Sequence, residues 1–306
     1  MILITGAAGF IGSAIAHSLN NSGFKTLTID NFSTGYRSNL PKETILIEGD
    51  CGDPETISQL QHYDVDTILH FAGQSSGEVS FNDPLADQKS NTTSTLLLLN
   101  YAKLKGIRKF IYASSMSVYG DHENLPVTEQ SVTMPKSLYA VGKLASEHYL
   151  NIYSNSDLKV VSLRLFNVYG PGQNLANLKQ GMLSIYLAQA LKDGQIKVKG
   201  SLERFRDLVY IDDVVEVVSL LVTTDLSNPY SVYNVANAYP VKVKEMITSI
   251  KAVLGNISVK EIEGTQGDQF GIFGSNYSLM KDFGWKPKIK HITGIKKMIA
   301  WAQNQR

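Results

Sequence analysis

Hydrophobic positions open the chain in a short unbroken run, Met1-Ile-Leu-Ile-Thr5, and then change period. An apolar run of this length, closed by a turn signal, reads as a strand buried on both faces. Gly6-x-x-Gly9-x-x-Gly12 follows at once. Ile11, Ala14, Ile15, Ser18 and Leu19 then recur at helical spacing until the stop signal at Gly23. A second strand, Thr26-Leu-Thr-Ile-Asp30, ends in a carboxylate. Further strand-like runs lie at 44–48, 67–71, 109–113 and 159–164, with helical stretches such as 95–104 and 138–153 between them. This alternation predicts right-handed crossovers and an α/β, doubly wound parallel sheet with helices on both faces.

After about residue 165 the pattern loosens. Pro171-Gly-Gln-Asn174 reads as a loop, followed by a helix over 181–192. Short strands are expected at 196–198, 208–211 and 232–235, and a closing helix at 293–303. The expected organisation is a Rossmann-type nucleotide-binding domain over 1–165 and a smaller, mixed α/β substrate-binding region over 166–306, with the chain free to cross between them. No internal repeat or flexible linker interrupts the pattern.

Strand, glycine turn and helix in that order form the context a dinucleotide fingerprint requires. Glycines let the backbone approach a pyrophosphate, and the helix N-terminus offers N–H donors and a favourable dipole. Asp30, eighteen residues after Gly12, is placed to accept from both hydroxyls of an adenosine ribose and repels a 2′-phosphate, which favours NAD over NADP. In a doubly wound sheet the ligand lies beyond the carboxyl ends of the strands. Those ends hold Gly6, Asp30, Asp50, Phe71-Ala-Gly73 and Ser114-Ser115, so all are expected to line one crevice.

Tyr139 and Lys143 stand four residues apart on an expected helix, twenty-four residues after Ser115. Positions i and i+4 share a helix face, so the ammonium is expected beside the phenol, favouring phenolate and lowering a pKa of about 10. Tyr139 would then serve as a base, with Ser115 hydrogen-bonding the same substrate oxygen. An isolated Tyr-x-x-x-Lys is commonplace; its company with the glycine turn gives it weight.

Composition adds limits. The formal net charge of +1 over 306 residues gives no electrostatic case for nucleic acid or an anionic membrane. A single cysteine, Cys51, excludes an intramolecular disulfide framework and a cysteine-rich zinc site, and fits a reducing cytoplasm. No apolar run approaches a membrane span, and no metal is expected.

Taken together, the motifs resemble those of the extended short-chain dehydrogenases/reductases, the NAD-dependent nucleotide-sugar epimerases and dehydratases, and among them the UDP-glucose 4-epimerase type. The resemblance runs end to end. It is carried by Gly6-x-x-Gly9-x-x-Gly12, Asp30-Asn-Phe-Ser-Thr-Gly35, Gly49-Asp50, His70-Phe-Ala-Gly73 and Ser114-Ser-Met-Ser-Val-Tyr-Gly120. Beyond these come Tyr139-x-x-x-Lys143, Arg164-Leu-Phe-Asn167-Val-Tyr-Gly-Pro-Gly172 and Arg206-Asp-Leu-Val-Tyr-Ile-Asp-Asp213. The resemblance implies Ser115, Tyr139 and Lys143 as the catalytic set. It implies cofactor contacts from Gly6, Gly9, Phe10, Ile11, Gly12, Asp30, Asn31, Ser33, Thr34, Gly35, Asp50, Cys51, Phe71, Ala72, Gly73 and Phe166, with Tyr139 and Lys143 also touching NAD. Substrate contacts are implied for Ser75, Ser76, Ser115, Asn167, Arg206 and Asp268. Asp212-Asp213 opens an apolar helix and is expected to cap it.

The implied reaction is 4-epimerisation of a nucleotide sugar, a UDP-sugar first, through a transient 4-keto sugar. A 4,6-dehydratase of this family carries an Asp-Glu pair where this chain has Met116 and Ser117, and a decarboxylase would want cations near Ser75 that are absent from the sequence. A 4-keto reductase would use the same Ser-Tyr-Lys set, and a non-catalytic NAD-binding sensor would have lost part of it. Two positions depart from the epimerase pattern: Thr265 stands where the family usually has Arg, and Ile272 where the glucose-type enzyme has a large aromatic. The resemblance also implies a homodimer formed by the helix over 95–104 and the helix bearing Tyr139. Both carry more apolar surface than one sheet-facing stripe, including Leu96, Leu97, Val141, Leu144, Ala145 and Tyr149.

Overall fold

The computed structural model describes residues 1–179, 181–264 and 269–305. In chain order its strands are β1 (Ile2–Thr5), β2 (Thr26–Asp30), β3 (Ile45–Glu48), β4 (Thr67–His70), β5 (Lys109–Ser115), β6 (Lys159–Leu165) and β7 (Asn167–Tyr169), followed by β8 (Gln195–Lys199), β9 (Phe205–Tyr210), β10 (Tyr230–Val235), β11 (Pro240–Lys242), β12 (Ser258–Ile262) and β13 (Gly271–Ile272). The helices are α1 (Phe10–Asn21), α2 (Pro54–Ser58), α3 (Gly77–Asn82), α4 (Pro84–Gln88), α5 (Ser94–Lys105), α6 (Leu138–Tyr153), α7 (Met182–Asp193), α8 (Ile211–Thr223), α9 (Val243–Leu254), α10 (Tyr277–Phe283) and α11 (His291–Asn304).

The chain forms two compact units. The first takes residues 1–118, 135–164 and 215–233. It is built on a seven-stranded sheet in the order β10-β6-β5-β4-β1-β2-β3. β1 pairs in parallel with both β2 and β4, and the parallel pairing continues from β2 to β3 and from β4 to β5. The expected α/β doubly wound sheet is therefore present. Its inner strands read as continuous apolar runs because helices cover both faces: every residue of β1, β2 and β4 is buried. Leu3, Leu27, Ile68, Leu98, Leu99, Phe110, Leu150 and Val160 form one core cluster.

Strand order reverses at β1, with β2 on one side and β4 on the other, which is the switch point where such sheets bind ligands. The backbone is crowded there. Gly6 has φ +72°, and a Cβ on it would lie 2.6 Å from the Ala72 nitrogen. A Cβ on Gly12 would run into the Gly6 carbonyl. Two of the three fingerprint glycines are thus required by close approach as well as by any ligand.

Between α4 and α5 the helix widens into a single π-type turn, Lys89–Thr93. Such turns expose backbone groups that side chains must satisfy. The Asn91 carbonyl accepts from the hydroxyls of Thr95 (3.0 Å) and Ser146 (2.8 Å), tying the turn to α6. Neither the short helices α3 and α4 nor this turn is visible in the hydrophobic pattern, since six residues or fewer carry no legible period.

The second unit takes residues 119–134, 165–214 and 234–306. Its main sheet runs β11-β9-β13, with β7 also on β9 in parallel. β11 is antiparallel to β9, and a separate parallel pair joins β12 to β8. This is the mixed α/β arrangement expected after residue 165. Asp207 on β9 organises it: its buried carboxylate accepts backbone N–H groups from Asn237 (2.7 Å), Ala238 (3.0 Å) and Gly274 (3.2 Å). Burial outweighs those bonds and raises its pKa to about 7. Asp213 accepts from the N–H groups of Lys288 (2.9 Å) and Ile289 (3.3 Å), pinning the approach to α11.

Candidate active site

β5 and α6 bring together the three residues proposed from the sequence. Ser115 ends β5, and Ser137 caps α6 by accepting from the Ala140 N–H (3.2 Å), starting the helix two residues before Tyr139. Tyr139 and Lys143 then fall on one buried face, 8% and 4% exposed. The Lys143 ammonium lies 5.8 Å from the centre of the Tyr139 ring and 4.8 Å from that of Tyr112. The Ser115 hydroxyl adjoins the Tyr139 phenol closely enough to act on its pKa. Ser117 donates to the Ser115 oxygen twice, from its N–H (3.2 Å) and its hydroxyl (3.0 Å). With those two donors on its oxygen, Ser115 has its own proton free to point away from Ser117.

The electrostatics differ from the simple sequence argument. Burial pushes the Tyr139 phenol up to about 12, with the Ser115 hydroxyl opposing and the Asp87 charge adding to the rise. Burial likewise pushes Lys143 down to about 8, against the charge of Asp87. Desolvation therefore dominates both groups, and the neutral phenol is the resting form. Lys143 does not by itself deliver the phenolate that i, i+4 spacing suggested.

The four-residue face continues one turn beyond Lys143 to Glu147. Its carboxylate takes a forked pair from Arg164 on β6 (Nε 3.0 Å, Nη2 2.7 Å) and the hydroxyl of Ser114. Both partners are buried, so α6 is fixed to β5 and β6 directly behind the reacting pair. His70 on β4, fully buried, bridges Thr5 (2.7 Å) and Thr95 (3.1 Å). Burial, then the Lys143 charge, drives its pKa down to about 3 and keeps it neutral. Glu147 was legible in principle from its spacing; His70 entered the sequence reading only as part of the His70-Phe-Ala-Gly73 motif, with no role of its own, and the α4–α5 residues carry no sequence signal.

The other predicted cofactor residues of the first unit gather around the switch point. Gly9 precedes α1, which has no side-chain cap and no acidic residue in its first turn. A Cβ on Gly9 would meet only the Gly6 carbonyl, at 3.2 Å. An uncapped twelve-residue helix opened by glycines suits a pyrophosphate. Phe10, Ile11 and Gly12 form the first turn of that helix. Asp30 accepts the Ala8 N–H (2.8 Å) with one oxygen and the Phe32 N–H (2.8 Å) with the other, which orients the carboxylate and leaves it lone pairs for a diol. Asn31 accepts the Ser33 N–H (3.0 Å), setting the turn that carries Ser33, Thr34 and Gly35. A Cβ on Gly35 would strike Ala8, so this turn folds against the glycine loop. Asp50 is held by the Gly52 N–H (2.8 Å), with Asn31 and Lys89 at 3.4 and 3.7 Å. Cys51 is buried and its thiol pushed up to about 12, first by desolvation, so it is a packing residue and no nucleophile. Phe71, Ala72 and Gly73 continue β4 toward Asn91, whose Oδ1 lies 2.5 Å from where a Gly73 Cβ would sit.

Ser75 and Ser76 precede α3, and Ser76 caps it by accepting the Val79 N–H (3.3 Å). In the second unit, Phe166 packs on Tyr119 and closes over Gly274, while Asn167 donates to the Asp207 carbonyl (3.3 Å). Arg206 is buried and donates to the carbonyls of Phe205 (2.7 Å), Gln269 (2.9 Å) and Phe270 (3.2 Å). It thus holds the end of the segment whose preceding residues, Thr265 and Asp268 among them, lie outside the described residues. Ile272 pairs with Arg206 on β13–β9 and is fully buried in the core of its unit.

The comparisons with known proteins bear on the family and the fold. The profile of the NAD dependent epimerase/dehydratase family matches residues 2–236. The chain belongs to that family. It is 30% identical to a UDP-glucose 4-epimerase of Mycolicibacterium smegmatis over 99% of this chain and 98% of the relative. Among solved structures, a Thermotoga maritima UDP-glucose 4-epimerase with UDP-glucose superposes with a TM-score of 0.94 at 28% identity, covering 99% of each chain. A Thermus thermophilus UDP-glucose 4-epimerase in complex with NAD gives 0.92 at 31% identity, covering 100% of this chain and 99% of that one. No helix among the described residues is long and apolar enough to cross a membrane.

Proposed function

We propose that the protein is an NAD-dependent nucleotide-sugar 4-epimerase acting on a UDP-sugar. The observation that carries this reading is the buried Tyr139–Lys143 pair with half-buried Ser115 next to it, beside an uncapped glycine-opened helix, with Met116 and Ser117 where a dehydratase needs carboxylic acids. Ser117 spends its hydroxyl on Ser115, in keeping with a support role and not acid catalysis.

The residues present fit NAD. The first turn of α1 would hold the pyrophosphate, Asp30 the adenosine ribose, Asp50 the adenine amino group and Lys143 the nicotinamide ribose. When bound, NAD supplies a hydride acceptor and a positive charge that favours phenolate at Tyr139. Tyr139 then accepts the sugar O4 proton, and Ser115 donates to that oxygen and keeps it in reach. The C4 hydride would go to the bound cofactor and come back on the opposite face of the 4-keto sugar; Tyr139 would hold the O4 proton meanwhile and return it, so C4 would be inverted with no net oxidation. In the second unit, Asn167 and Arg206 are the proposed diphosphate contacts, Arg206 by virtue of its planar guanidinium, with Asp268 among the proposed substrate residues.

The deciding experiment incubates the purified protein with UDP-glucose, UDP-galactose and their N-acetyl counterparts and follows the C4 configuration by NMR. Interconversion without consumption of NAD is expected; net production of NADH, or loss of water from the sugar, would assign a different reaction.

Asp30→Ala removes the proposed ribose acceptor and an anion that repels a 2′-phosphate. We expect weaker NAD binding and reduced preference over NADP, read by calorimetric titration with each cofactor. Tighter binding of NADP than NAD by the wild-type protein would contradict the assignment.

The proposed assembly is a homodimer through α5 and α6. Ile152 (76%), Val141 (49%) and Leu104 (84%) stand exposed on these helices in the single chain, more apolar surface than a helix covering one sheet face leaves open. A two-fold pairing of such helices is self-complementary. Light scattering across a dilution series is expected to give twice the 33.7 kDa chain mass; a monomer mass at micromolar concentration refutes the dimer.

A further inference from the structure

A carboxylate outside the predicted set sits against the reacting pair. Asp87, near the end of α4, is 2% exposed. One of its oxygens accepts from the amides of Gln74 (2.8 Å) and Asn91 (3.0 Å). The other faces α6, 3.8 Å from where a Cβ of Gly142, the neighbour of Lys143, would lie. Asn91, which holds Asp87 with its nitrogen, turns its oxygen toward Gly73, and a Cβ placed on Gly73 would have that oxygen at 2.5 Å and the Lys143 nitrogen at 3.4 Å. The Asn91 oxygen has no hydrogen-bond partner among the described residues. Asn91 thus links the Asp87 carboxylate on one side to Gly73 and the Lys143 ammonium on the other.

Each charged or titratable group facing Lys143 can be weighed. Glu147 is neutralised by its forked pair with Arg164. Cys51, with its thiol raised to about 12, is uncharged. His70, lowered to about 3, is uncharged. Tyr112 and Tyr139 present rings, and burial raises both phenols. Asp87 is the first of the charges that offset the buried Lys143 ammonium, with Glu147 behind it, and an unpaired buried ammonium is expensive.

We propose that Asp87 is a positioning residue of the active site, the buried counter-charge that holds Lys143 as an ammonium beside Tyr139. Gln74 and Asn91 aim the carboxylate; burial raises the pKa of Asp87, and their bonds and then the Lys143 charge oppose that rise. The same anion disfavours phenolate at Tyr139, so Asp87 acts on both members of the pair in one direction. Without it, Lys143 loses its proton at lower pH and Tyr139 loses its proton at lower pH. The catalytic function assigned to this pair rests on the epimerase reading; the electrostatic coupling does not.

The test uses the full chain labelled with [ε-13C]lysine, the Lys143 resonance being assigned by its absence from Lys143→Met. In the wild-type protein the resonance should titrate near 8. In Asp87→Asn and Asp87→Ser the midpoint is expected to fall by about one unit, and in Asp87→Glu, which keeps the charge, to stay close to wild type. In the pH profile of kcat/KM for epimerisation, both limbs should move to lower pH together in the neutral variants. Lower turnover with unmoved limbs and an unmoved Lys143 midpoint would show a purely structural role and overturn the proposal, as would an equal fall in Asp87→Glu. If neither neutral variant folds while Asp87→Glu does, the carboxylate serves the fold and the proposal also falls. If the Lys143 midpoint moves as expected but wild-type protein turns over no nucleotide sugar, the epimerase reading fails and the coupling stands.

Discussion

Tyr139→Phe is expected to lower turnover by about 10²-fold or more while leaving NAD binding and the fold in place. The substitution deletes one oxygen from a ring that is almost fully buried. No cavity opens that the chain must fill, and the hydroxyl of Ser115 loses a neighbour but stays half-buried with Ser117 still donating to it. The loss therefore falls on proton transfer. Comparison of kcat with KM separates this from a binding defect, because a group that acts only as the reaction proceeds lowers kcat and leaves substrate affinity largely intact. Bound NAD measured on the purified variant provides the control. Wild-type turnover by Tyr139→Phe would remove Tyr139 from the mechanism.

Glu147→Leu is expected to destabilise the protein by roughly 3–5 kcal/mol, the range for removing one partner of a buried ion pair. The Arg164 guanidinium would keep its place under β6 with neither of its two carboxylate bonds, and Ser114 would lose its acceptor. Exchanging both residues, Glu147→Leu with Arg164→Leu, should recover much of the loss, because no uncompensated charge is left behind. Urea unfolding at one pH reads the effect as a lower midpoint at unchanged m-value. A loss below about 1 kcal/mol would mean the pair is solvated and contributes as a surface bridge does.

The contrast between these two residues shows where sequence ends as evidence. Tyr139 was legible because its chemistry is rare in combination: a phenol and an ammonium on one helix face, a hydroxyl at a strand end, and a glycine turn ahead of both. Gly6 and Gly12 were legible because few residues survive such close backbone approach. β1, β2, β4, β5 and β6 were legible because strands buried on both faces are written as short runs rich in apolar and β-branched residues, and α6 because sixteen residues give a helical period room to repeat. Each of these signals is local, confined to a window the chain itself spans.

What tertiary structure decided is everything set by desolvation and by partners distant in sequence. Spacing alone placed a positive charge beside Tyr139 and implied an easily ionised phenol; burial of both groups reverses that, because removing water disfavours each charged form more than their separation lets them favour one another. Asp87 reads in sequence as an ordinary acid after a helix-starting Pro84, and only the π-type turn at 89–93 and the docking of α4 on α6 carry it to Lys143. Arg206 was expected at the substrate diphosphate, and only the fold shows that its buried guanidinium also donates to the carbonyls of Phe205, Gln269 and Phe270. The sequence by itself determined the sheet, the glycine turn before α1 and the grouping of Ser115, Tyr139 and Lys143, since those depend on residue type at short spacing. The protonation balance of the trio was decided by packing, because the energy of a buried charge depends on what surrounds it in space, and those neighbours come from strands and helices tens of residues apart.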